Sequence, residues 1–136
     1  MVIDTSALVA ILEDEPESSQ FSEAIAQARL RLLSAVSLVE TSIVIENRRG
    51  AAGKHAFDLL LEKAAIEIMN VTAEQAEIAR QAYRTYGKGQ GHPAQLNFGD
   101  CFAYALAKIL EQPLLFKGED FNKTDIYCYD RVKNIK

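Results

Sequence analysis

Brief apolar runs at residues 1–3, 31–33, 66–69 and 113–116, separated by stretches whose apolar side chains recur at helical intervals, constrain this chain more than any other feature. Runs this short and this apolar read as strands buried on both faces. When one or two helices separate such strands, the outcome is a parallel sheet with right-handed crossovers. The fold class is α/β, with a short central parallel sheet flanked by helices on both faces. Ala7, Leu8, Ile11 and Leu12 mark a first helix. Pro16 is expected to open a second, with Phe21, Ala24, Ile25 and Ala28 on its apolar face. Ser37 and Glu40 have the spacing of a capping box for a third helix carrying Val39, Ile43 and Val44, which residues 47–50 end or interrupt. Further helices are expected over 53–63, from Thr72 to about Tyr86, and from Asn97 with Phe98, Phe102, Leu106 and Ile109 along one face. Residues 87–93 are too rich in Gly and Pro for regular structure, and 126–129 can add a last short strand.

The length of 136 residues matches one core, and no repeat, linker or low-complexity tract divides it, so the expectation is a single domain over 1–136. Fifteen basic and 19 acidic side chains give a net charge of −4, which argues against holding nucleic acid by charge alone. If the chain acts on RNA, something must neutralise its own carboxylates, and a divalent metal is the obvious candidate. Cys101 and Cys128 are too few and too far apart for a disulfide framework or a zinc site and read as reduced packing residues. The N-terminal stretch lacks a basic leader and contains Asp4, so it fits neither a signal peptide nor a membrane span; a cytoplasmic location is the default.

Ligands of open α/β sheets bind at the carboxyl ends of the strands, which gives weight to the acids placed just beyond them. Asp4 directly follows the first strand, Glu40 lies shortly after the second, Asp100 falls in the first turn of its helix, and Glu119 and Asp120 follow the run ending at Phe116. Ordinary roles compete. Glu40 can complete the cap begun by Ser37, and Asp100 can do the same for Asn97, as Gln75 can for Thr72 where no chemistry is expected. Residues 118–120 also make a good turn. Asp4 is the hardest to explain away, because a buried carboxylate costs several kcal/mol unless it is paired or metal-bound. Acids gathered in one crevice raise one another's pKa unless a hard, oxygen-preferring cation compensates, and Mg²⁺ or Mn²⁺ suits that role. Such a site can activate water for attack on a phosphodiester without a His, Cys or Ser nucleophile.

The segments V-I-D-T-S-A-L-V-A-I-L with E-P-E after it, S-L-V-E-T, F-G-D-C-F-A-Y-A-L-A and L-L-F-K-G-E-D-F-N-K-T-D-I, in this order and over nearly the whole chain, resemble the PIN-domain toxins of the VapC type. The resemblance implies a PIN-like fold and a metal-dependent endoribonuclease using Mg²⁺ or Mn²⁺. It further implies a homodimer held inactive by a VapB-like antitoxin, with which it forms a larger heteromer. It makes Asp4, Glu40, Asp100 and Asp120 the metal-site acids, with Thr5 or Ser6 and Thr124 as supporting polar groups. The sequence departs from the commonest form at Glu119, where such toxins often have Asp, so Glu119 stands as an alternative or auxiliary ligand.

Arg48, Arg49 and Lys54, and Arg84 with Lys88, could grip RNA phosphates, although a solvated surface explains each one; Lys117, next to the 119–120 turn, is the better candidate. His55 and His92 are isolated and read as surface residues. Apolar faces carrying Val9, Leu12, Phe21, Ile25, Ile43 and Phe57 serve either the core or an antitoxin or self-association surface. Two other classes remain open. One is a phosphatase with Asp4 as covalent nucleophile, although Ser6 stands where its usual second acid would be. The other is a non-catalytic module that has kept the fold.

Overall fold

A computed structural model describes residues 1–129. Four strands, β1 (Val2–Ile3), β2 (Leu32–Ser34), β3 (Glu67–Met69) and β4 (Leu114–Leu115), form one sheet in the order β3-β2-β1-β4 with every pair parallel. Five α-helices connect them: α1 (Thr5–Leu12), α2 (Ser18–Gln27), α3 (Ala35–Lys63), α4 (Ala73–Tyr86) and α5 (Phe98–Leu110).

The period of two along a strand explains why strands of two or three residues suffice. Val2, Leu32 and Leu114 point to one side, where they join Ala79 and Ala82 of α4 and Cys101, Leu106 and their neighbours on α5. Ile3, Leu33 and Leu115 point to the other, into a cluster with Leu8 of α1, Phe21 and Ile25 of α2 and Phe57 of α3. Helices therefore cover both faces, as the apolar runs require.

Local details depart from the sequence expectations for identifiable reasons. The cap of α3 is Ser34, whose Oγ accepts from Val36 N–H at 3.2 Å, and Ser37 lies inside the helix with its buried Oγ unpartnered. The expected Ser37–Glu40 capping box is therefore absent, and Glu40 is released from that role. Residues 47–50 interrupt rather than end the helix: Gly50, at φ 59° and ψ −139°, bends it into two arms. Pro16 precedes α2 without opening it, since the helix begins at Ser18. The Asn97 cap is present in full, with Asn97 Oδ1 accepting from Asp100 N–H (2.8 Å) and Asp100 Oδ2 accepting from Asn97 N–H (2.9 Å). Phe98 does not share the buried face of α5; it is 72% exposed and packs edge-on against Phe102. Of residues 126–129, Cys128 makes one isolated bridge to Leu114 rather than a strand.

The topology also fixes where a ligand can sit. From β1 the chain moves outward to β2 and β3, then returns across the sheet to place β4 on the opposite side of β1. The crevice beyond the carboxyl ends of β1 and β4 is the switch point at which such sheets bind ligands.

Candidate active site

Four segments deliver acids to this crevice. Asp4 follows β1, Glu40 lies on the first arm of α3 after β2, and Asp120 follows β4. Asp100 arrives because α5 runs back against the sheet into β4, which sets its N-terminus at the carboxyl edge. The acids are close enough to act on one another: the charge of Glu40 raises the pKa of Asp4, and those of Asp4, Glu40 and Asp120 raise that of Asp100. Glu119 is not among the leading influences on either acid. Its carboxylate instead accepts from Asn122 Nδ2 at 3.0 Å.

Asp4 is 2% exposed and divides its two oxygens between tasks. Oδ2 caps α1, accepting from Ser6 N–H (3.0 Å) and Ser6 Oγ (2.6 Å). Oδ1 is buried with no hydrogen-bond partner. Burial drives the Asp4 pKa up to about 6, opposed by the Ser6 hydrogen bonds and more weakly by the Thr5 backbone N–H, and reinforced by Glu40. Burial likewise lifts Asp100 to about 7, helped by the Asp4 charge and opposed by its bond from Asn97 N–H. Asp100 therefore serves as cap and as cluster member at once; the two readings open in the sequence are compatible.

The supporting residues separate. Ser6 Oγ donates to Asp4 and accepts from Lys117 N–H at 2.9 Å, so it ties the buried carboxylate to the loop that carries Asp120. Thr5 Oγ1 donates to Ser37 C=O (3.4 Å) and accepts from Thr41 Oγ1 (3.1 Å), which joins α1 to α3 instead of facing the acids. Thr124 Oγ1 donates to Phe121 C=O and accepts from Ile126 N–H, closing the turn of the short 3₁₀ segment Phe121–Lys123. Sequence reasoning missed the anchor of this segment: Asp125 accepts from the Tyr104 hydroxyl and from Lys108 Nζ. Burial pushes the Asp125 carboxyl up, but those two bonds prevail and hold it below the usual range.

Lys117, Arg48 and Arg49 are paired with acids. Lys117 Nζ lies 2.8 Å from Glu15 and 3.4 Å from Glu17, while Arg49 donates twice to Glu13 and Arg48 stands 3.9 Å from it. All three keep much of their surface in solvent, so these ion pairs are the weak, exchangeable kind. His55 is exposed as expected, whereas His92 is half-buried, with Nδ1 accepting from Ala94 N–H and its ring edge-on to Tyr86. Cys101 and Cys128 are buried; burial and the Asp100 charge lift the Cys101 thiol to about 11, which makes it inert. An apolar groove of about 530 Å³ opens beside Glu40 and Gly99, lined by Val36, Val39, Ile43 and Phe98. Val39 and Ile43 are more than half exposed there, so Ile43 belongs to surface and not to core, unlike Phe21, Ile25 and Phe57.

A parallel α/β sheet with acids gathered at its switch point defines the class of protein. Residues 1–127 match the PIN domain family. Over 126 residues, 93% of this chain, it is 58% identical to Ribonuclease VapC30 of Mycobacterium tuberculosis and 56% identical to Ribonuclease VapC of Mycolicibacterium smegmatis, covering 95% and 97% of those proteins. The chain belongs to the PIN-domain family, among its VapC ribonucleases. Solved structures share the fold at low identity. VapC20 of Mycobacterium tuberculosis, a sarcin–ricin loop cleaving toxin, superimposes with a TM-score of 0.72 at 17% identity over 92% of this chain and 95% of that one. VapBC-1 of nontypeable Haemophilus influenzae gives 0.72 at 17% identity over 93% and 94%.

PIN-domain ribonucleases of the VapC kind are metal-dependent, and the donor set here fits a hard divalent cation: all oxygen, several negative charges, and a buried carboxylate oxygen without a hydrogen bond. Among the described residues no three acidic, imidazole or thiol side chains are arranged to hold a metal ion by themselves. Among the described residues, no helix is long and apolar enough to cross a membrane.

Proposed function

We propose that this chain is the toxin of a type II toxin–antitoxin pair, an Mg²⁺- or Mn²⁺-dependent endoribonuclease whose site is Asp4, Glu40, Asp100 and Asp120. One observation carries the reading: an unpartnered oxygen on the buried Asp4, in a group of acids whose charges raise the pKa of Asp4 and Asp100. Without a cation the unpartnered oxygen and the crowded charges destabilise the fold, whereas with one the acids become a ligand set. Membership of the VapC ribonucleases supports RNA as substrate.

Asp4 and Asp100 are the residues to hold the ion directly, with Glu40 and Asp120 setting the charge around it and Glu119 as auxiliary. A bound divalent cation supplies polarisation of a phosphodiester oxygen and a lower pKa for an attacking water. The chain supplies the rest. Ser6 fixes Asp4 Oδ2, so that Oδ1 stays available. Asp100 Oδ2 is engaged by Asn97 N–H, which leaves Oδ1 available to the ion. Lys117, Arg48 and Arg49 can exchange their acidic partners for RNA phosphates.

The full chain, residues 1–136, acts as one domain in the cytoplasm, where its RNA is found. Its partners are a VapB-like antitoxin and a second copy, forming a homodimer and a larger heteromer with the antitoxin. The exposed Val39, Ile43 and Phe98 support protein contacts of this kind. The test is cleavage of total RNA by antitoxin-free protein: activity should need Mg²⁺ or Mn²⁺, stop in EDTA, and fall at least 100-fold in Asp4→Asn and Asp100→Asn. Folded variants cutting at the wild-type rate would refute the assignment.

A further inference from the structure

Gly99 occupies the second position of α5 with an ordinary negative φ, so the backbone there does not require glycine. Within a helix, glycine is less stable than alanine. Its neighbour supplies the reason for it. A β-carbon at position 99 would come within 2.6 Å of Glu40 Oε1 and 2.5 Å of Glu40 Cδ, and closer still to Oε2. The Glu40 carboxylate fills the place where a side chain would stand. Gly53 and Gly87 differ, since a β-carbon at either would meet the backbone carbonyl of Ile45 or Tyr83. Those are packing glycines, whereas the group against Gly99 is the far end of a flexible side chain that can swing away.

We infer that Gly99 is a positioning residue: by lacking a side chain it lets the Glu40 carboxylate lie on the first turn of α5 next to Asp100, where Glu40 contributes to holding a divalent cation. The approach also sets an anion against the exposed N–H groups of a helix start, which favours it there. This rests on the proposed ion site. It assigns a task to the glycine of the G-D pair that is separate from shaping the chain.

The experiment uses the full chain without antitoxin and Mn²⁺ as probe, followed by electron paramagnetic resonance, with thermal unfolding in EDTA alongside. Gly99→Ala is expected to unfold at the same or a higher temperature than wild type in EDTA, because alanine favours the helix and the carboxylate can move. Its Mn²⁺ affinity is expected to fall about tenfold, the size typical of losing a positioning group. In a Glu40→Ala background, Gly99→Ala should change Mn²⁺ affinity no further. The inference is overturned if Gly99→Ala binds Mn²⁺ within about twofold of wild type. It is also overturned if the loss persists undiminished in the Glu40→Ala background, or if Gly99→Ala lowers the unfolding temperature whether or not Glu40 is present. Asp4→Asn separates the levels. If it too binds Mn²⁺ like wild type, the ion site itself fails; if it loses Mn²⁺ while Gly99→Ala does not, only the role of Gly99 fails.

Discussion

Replacing Asp4 with asparagine should stabilise the metal-free protein while abolishing cleavage. The carboxyl sits at about 6 in the fold against an ordinary 3.8, a rise of roughly two units, or about 3 kcal/mol at 1.36 kcal/mol per unit. The sign follows from proton linkage. The folded chain holds this proton more tightly than the unfolded chain, so the stability it brings is complete below pH 3.8 and lost as pH rises through about 6. Asp100, at about 7, extends the window to neutral pH, and because the two acids act on each other the protons bind to the pair. Asparagine cannot ionise, caps a helix as well as aspartate, and keeps an oxygen for the two Ser6 donors. At pH 8 in EDTA the variant should therefore be more stable by up to about 3 kcal/mol, raising Tm by roughly 5–10 °C for a chain of this size. At pH 4 the advantage should vanish. Scanning fluorimetry at both pH values, with EDTA present, measures it. A variant destabilised equally at pH 4 and pH 8 would show that Asp4 is an ordinary cap under no electrostatic load.

The other predictions concern neighbouring features. Adding Mg²⁺ at 100 times its Kd should stabilise wild type by about 2.7 kcal/mol and leave Asp4→Asn unmoved, read by the same melts. Asp120→Asn should slow RNA cleavage far more than Glu119→Gln, because Asp100 senses Asp120 whereas Glu119 is held by Asn122; equal losses in a single-turnover assay would return the fourth acid to open choice. Ser6→Ala removes the side-chain hydrogen bond that lowers the Asp4 pKa while keeping the backbone one, so the acid limb of the pH–rate profile should move to higher pH, with a stability loss of about 1 kcal/mol in urea melts. Ser34→Ala should cost about 1 kcal/mol as a lost cap. Ser37→Ala should be neutral or stabilising, since its buried Oγ has no partner.

The layered fold was legible because each apolar pair, Val2 with Ile3, Leu32 with Leu33 and Leu114 with Leu115, serves both faces of the sheet at once. Such runs have no other soluble use at that length. Boundaries were less legible where several residues compete for one local job. Residues 34 and 37 are both serines at the start of α3, and only the backbone geometry selects Ser34 as the cap. Phe98 and Ile43 follow helical periodicity yet face outward, because periodicity finds a stripe without saying what covers it. At the site, the convergence of Asp4, Glu40, Asp100 and Asp120 could be read from their positions after strands and at a helix start. For Asp100 the choice between cap and cluster member stayed open in the sequence, and the capping of α1 by Asp4 was not read there, because a cap and a ligand draw on the same residue types. Lys117, Arg48 and Arg49 looked available because their partners Glu15, Glu17 and Glu13 come from a turn distant in sequence.

Whether the acids form a metal centre is tested most directly by Mn²⁺ anomalous diffraction from crystals of the antitoxin-free protein. An anomalous peak is expected within coordination distance of Asp4 Oδ1 and an Asp100 oxygen, and no peak at this position in Asp4→Asn. A wild-type crystal saturated with Mn²⁺ that shows no peak between these residues, while the same preparation cleaves RNA, would contradict it.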